Sequence, residues 1–156
     1  MLLFALGFGC QPAPVPLSAL SEHRLHPTAK LFHFSATPEI SKYGVSVKTA
    51  RRRWGSGPSD FARHKTWVVP LYDLGDSSDG VVQAWVSPPG FRDDAAFASW
   101  SAQLADTLSA GPVAWKVRYR TGERPTGGAS LAVADATQRW GITSEPGSPI
   151  FSFTPE

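Results

Sequence analysis

At 156 residues the chain has room for one domain whose core needs neither disulfides nor a structural metal. Its 42% hydrophobic and 18% charged residues exclude wholesale disorder. A lone cysteine, Cys10, excludes an internal disulfide and a Cys-rich zinc site. The net charge of +2 hides a division: residues 22–65 hold nine Lys/Arg against three Asp/Glu, whereas residues 66–156 hold six against ten. That asymmetry predicts a basic surface for an anionic partner, or else two oppositely charged parts that attract each other within the fold.

In chain order, residues 1–10 read MLLFALGFGC, an apolar run too short to span a bilayer. Pro12, Pro14 and Pro16 follow in alternation, which favours an extended, semi-rigid spacer. Residues 1–21 are therefore read as an apolar start and linker, and 22–156 as the domain. With Gly7 and Gly9 ahead of Cys10, the start resembles the end of a bacterial lipoprotein signal. The resemblance implies export, lipidation of Cys10 and tethering at the cell envelope. The other reading is an apolar start that packs on the domain or frays.

Residues 17–26 pattern weakly as a short helix, and KLFHFSA at 30–36 suits a strand or one helical turn. KTWVVPLYDL at 65–74 is β-rich, with Pro70 placing that strand at an edge or a bulge. VVQAWVS at 81–87 completes a hairpin across the turn GDSSDG. Residues 92–110 form the clearest helix. Asp93 and Asp94 suit its positive end, and Phe97, Trp100, Leu104 and Leu108 make one apolar face. VAWKVRYRT at 113–121 alternates as a half-buried strand. Residues 129–142 are read as a further strand with Leu131 and Val133 on one face, and the last stretch as a short edge strand or a loose end. The expected fold is α+β: a small, mainly antiparallel sheet with one principal helix packed on one face.

Residues 43–54, YGVSVKTARRRW, resemble the turn and recognition helix of a helix-turn-helix protein. The resemblance implies a turn at Gly44, a helix capped by Ser46, and Arg51, Arg52 and Arg53 facing DNA. The competing reading of 38–54 is a hairpin, with ISKYG leading through a turn into VSVKT. Under either reading Lys42, Lys48 and Arg51 to Arg53 are the candidate anion-binding residues.

Other chemistry is poorly served. Asp73, Asp76 and Asp79 lack the alternate oxygen spacing and closing Glu of a calcium loop. The histidines His23, His26, His33 and His64 lie outside any HExxH pattern, and no GxSxG, GxxxxGK[ST] or GxGxxG motif occurs. No catalytic residue, metal or cofactor is assigned. The leading reading is a non-enzymatic binding or assembly module, exported and tethered through Cys10, with a basic surface for an unknown protein or anionic surface. A nucleic-acid-binding protein is the alternative, and an enzyme assembled only in the fold is the third.

Overall fold

A computed structural model describes Leu17 and residues 31–51, 61–73, 80–88, 94–121 and 127–154. Cys10, Arg52 and Arg53 lie outside the described residues, as do Asp76 and Asp79.

The fold is α+β. Among the described residues seven strands form one sheet: β1 (Leu31–Phe34), β2 (Thr37–Pro38), β3 (Gly44–Arg51), β4 (Phe61–Tyr72), β5 (Ala84–Ser87), β6 (Val113–Arg120) and β7 (Pro149–Ser152). Their order is β1-β6-β7-β5-β4-β2, with β3 also paired to β4. Every strand pair is antiparallel except β5 with β7. Two helices, α1 (Asp94–Ser109) and α2 (Gly128–Trp140), cover the sheet.

Alternation along β4 explains the two layers. Trp67, Val69 and Leu71 point one way and join Val86, Phe151 and the Phe97, Trp100, Leu104 face of α1 in one core. Val68 points the other way and joins Trp85, Ile150, Ala129, Ala132, Val133 and Ala136 in a second core against α2. The Trp67 and Phe97 rings stack at 4.1 Å, and the buried Trp100 Nε1 donates to the Phe153 carbonyl at 2.8 Å. Leu17, upstream of the expected domain boundary, is buried in the first core, and its N–H donates to Asp73 Oδ1 at 2.8 Å. Asp73 thus ties down a chain segment.

The principal helix and the β4–β5 hairpin are as the sequence predicts. Three local readings are corrected. Residues 128–140 are helical, because four alanines favour a helix and Ala129, Ala132, Val133 and Ala136 recur at helical spacing. Leu131, assigned above to a strand's apolar face, is 47% exposed. Pro70 is not on an open edge: β4 runs between β5 and the two-residue β2, and the Pro70 carbonyl accepts the Glu39 N–H at 3.0 Å. The closing strand β7 lies between β6 and β5, at the sheet's centre.

Candidate anion-binding interface

The segment read as a recognition helix is the strand β3. Val45, Val47 and Thr49 are β-branched at every second position, which suits a strand and strains a helix. The strand pairs with β4 from Gly44↔Val68 to Arg51↔Phe61, so residues 40–43 are not its hairpin partner either. Ile40–Lys42 instead form a single 3-10 turn. Ser46 caps no helix at its own position. Its hydroxyl donates to the Gly128 carbonyl at 2.6 Å. A helix-turn-helix needs two helices crossing near Gly44, so that form of the nucleic-acid reading fails on backbone conformation.

Gly44 is where α2 touches the strand. A methyl group there would sit 1.9 Å from the Ala132 carbonyl oxygen. The Val45 N–H donates to Asp135 Oδ2 at 2.9 Å, so it points away from β4 towards α2. In an antiparallel pair, backbone groups turn outward at every second residue, which places those of Val47, Thr49 and Arg51 on the same outer edge. Val47 is 55% exposed.

Both helices begin at one level of the β3–β4 pair. Lys65 Nζ meets Asp94 Oδ1, in the first turn of α1, at 3.0 Å. Gly128, the first residue of α2, packs directly on Thr66, whose hydroxyl would lie 2.5 Å from a Cβ at that position. Beyond this level the pairs Val47↔Lys65, Lys48↔His64, Thr49↔Arg63, Ala50↔Ala62 and Arg51↔Phe61 form a two-stranded ribbon, with no third strand among the described residues. Basic residues stand on both strands of it. Between Lys42 and Asp60 the sequence holds no carboxylate.

The predicted site residues are therefore only partly brought together. Lys48 and Arg51 share β3, whereas Lys42 lies past its opposite end, with Gly44 and Arg51 about 24 Å apart at 3.4 Å per residue. Sequence reasoning missed Arg63 and His64, which the register sets opposite Thr49 and Lys48. Their nearness in sequence to the triple arginine, across the Gly-, Pro- and Ser-rich residues 55–60, was the signal available. Lys65 has its own carboxylate in Asp94, one instance of the internal neutralisation the charge division allowed. The start of α2 adds positive potential near the ribbon's base. It has no acidic residue in its first turn and no side-chain cap.

Two open clefts lie elsewhere. One, of about 760 Å³, runs between α1 and β7 past Asp106, Thr107, Trp115 and Ser152. The other, of about 520 Å³, lies between α2 and residues 142–147. Ser130 Oγ faces it, buried and without a hydrogen-bond partner. Neither cleft has a described His or Cys lining it, so no nucleophile stands beside an imidazole base there. Among the described residues no group of three His, Cys, Asp or Glu could hold a metal, and no helix is long and apolar enough to cross a membrane.

What these features define is a class of architecture, an α+β sheet domain carrying a basic ribbon. No family model, curated protein or solved structure matches the chain.

Proposed function

We propose that this protein is a non-enzymatic binding or assembly module that holds an anionic partner on the basic ribbon formed by β3 and β4. One observation carries the reading: Lys48 and Arg51 on β3 and Arg63 on β4 belong to a sheet segment that pairs with nothing else among the described residues, and the sequence from 43 to 59 holds no carboxylate. The same reading places the domain at the cell envelope, tethered through Cys10 on the Pro-rich spacer; radiolabelled fatty acid would enter the wild-type chain and not a Cys10→Ser variant.

Immobilised heparin, a generic polyanion, tests the ribbon. The wild-type protein is retained at low salt and released as salt screens the contacts. A Lys48→Glu, Arg51→Glu variant passes through. Co-elution of the two proteins would remove the ribbon as the binding surface.

A further inference from the structure

We infer that the anionic partner is an extended acidic peptide, and that it adds as a strand to the outer edge of β3 between Val47 and Arg51. The inference rests on the anion-binding reading above and names the partner's chemistry.

The outer edge of β3 is an open row of backbone groups. The Val45 N–H leaves the β3–β4 ladder for Asp135. The alternation of an antiparallel pair then sends the N–H and C=O of Val47, Thr49 and Arg51 outward as well. No strand among the described residues pairs with that edge, and Val47 on it is 55% exposed. Such a row is a template for one more strand, held by main-chain bonds and selected by its alternate side chains. From Val47 to Arg51 it runs about 14 Å at 3.4 Å per residue, which seats a peptide segment of about five residues.

Charge decides which strand fits. β3 holds Lys48 and Arg51 and no carboxylate. By alternation Lys48 belongs to the α2 side of the sheet, with Gly44 and Ser46. Arg51 belongs to the other side, with Val45, which packs against the first core. A strand in the plane of the sheet also presents residues to both faces, so acidic residues of either parity come beside a basic position. A ligand resting on one face of the ribbon meets only one of these two positions. A second copy of β3 is the poorer occupant. Antiparallel pairing centred on Thr49 would set Arg51 opposite Val47 and Lys48 opposite Ala50, gathering the basic residues of both copies in one short ladder with no carboxylate. Basic residues on an edge deter like strands in this way.

Asp135 sets where the added strand must stop. Its carboxylate already accepts the Val45 N–H at 2.9 Å and pairs with Arg139 at 3.0 Å. An incoming strand would find that donor taken, and an acidic one would be repelled there. Pairing is thereby confined to Val47 and beyond, where β3 carries its basic residues.

The test is fluorescence anisotropy on the full chain with a labelled peptide of about ten alternating Glu and Thr residues, long enough to span the open edge. The wild-type chain binds it, and more weakly as salt rises. The same peptide N-methylated at every residue keeps its charge and loses its amide donors, and binds at least about tenfold more weakly. In Val47→Pro the ring removes one outward donor and none of the bonds to β4, and binding of the unmodified peptide falls by about fivefold or more. Circular dichroism and the urea midpoint check that this variant folds; if it does not, the two peptides on the wild-type chain decide alone. Equal binding of the two peptides, or undiminished binding by folded Val47→Pro, overturns strand addition. Heparin retention or binding of a labelled DNA duplex, with no binding of the peptide, overturns the peptide as partner and leaves anion binding standing. Absence of heparin retention and of peptide binding together overturns both.

Discussion

Gly44 offers a sharp test of how α2 is held. Its φ is not positive, so alanine is conformationally acceptable there, and by restricting the unfolded chain the substitution should stabilise by about 0.4–1 kcal/mol. Packing opposes this. The new methyl would lie 1.9 Å from the Ala132 carbonyl oxygen and 2.8 Å from Ala136 Cβ. Carbon and oxygen in contact need about 3.3 Å, so the helix backbone must retreat by more than 1 Å. No side-chain rotation can absorb that, because the obstacle is main chain. Retreat would loosen Ala132 and Val133 from Val68 and Trp85 and lengthen the Asp135–Val45 hydrogen bond. Overpacking costs about 1–3 kcal/mol, and a backbone obstacle puts Gly44→Ala near the upper end, about 3 kcal/mol net. At 2–4 °C per kcal/mol, Tm falls by about 6–12 °C. Gly141→Ala is the comparison: its φ of 63° strains alanine but its Cβ meets nothing, for about 1 kcal/mol. Urea and thermal unfolding followed by circular dichroism would rank the two. If Gly44→Ala proves the milder, the close approach of α2 to β3 is wrong.

Further outcomes follow from the same contacts. Asp135→Ala removes the acceptor of a half-buried edge amide and costs about 1–2 kcal/mol in urea unfolding. Arg139→Ala breaks the exposed pair with that carboxylate and a cation–π contact over the Tyr43 ring at 5.6 Å, for about 1 kcal/mol together; a loss as large as that of Asp135→Ala would show that Arg139, not the amide bond, holds the helix. Trp100→Ala empties a fully buried site and leaves the Phe153 carbonyl without its donor, for about 3–5 kcal/mol, while Lys65→Ala stays within about 1 kcal/mol because its bridge to Asp94 is solvated.

The elements most legible in the sequence were those with a long, clean period. Phe97, Trp100, Leu104 and Leu108 marked α1, and the run from Trp67 to Leu71 marked β4, because burial on a defined face leaves its period in the chain. The second helix was misread for a physical reason. Its buried face is Ala129, Ala132, Val133 and Ala136, mostly so small that it carries little hydrophobic contrast, and the strongest apolar residue, Leu131, faces solvent. Small residues are there because α2 lies almost on the backbone of β3, a fact of tertiary structure. For 44–51 the alternation of Val45, Val47 and Thr49 favours a strand, whereas Ala50 and Arg51 tolerate either conformation, and pairing with a strand ten residues further on fixes the outcome. The positive charge was legible throughout, but not its arrangement. Register alone sets Arg63 and His64 opposite Thr49 and Lys48 and puts Lys42 at the far end.

The central position of β7 has a consequence for how the chain folds. β5 and β6 are not neighbours, and Pro149–Ser152 fills the gap between them, pairing parallel with one and antiparallel with the other. Everything made earlier leaves those two strands with an open inner side. The sheet therefore closes late, by a non-local insertion, and non-local pairing is intrinsically slow. Until that step, the unpaired inner edges of β5 and β6 remain open to wrong partners.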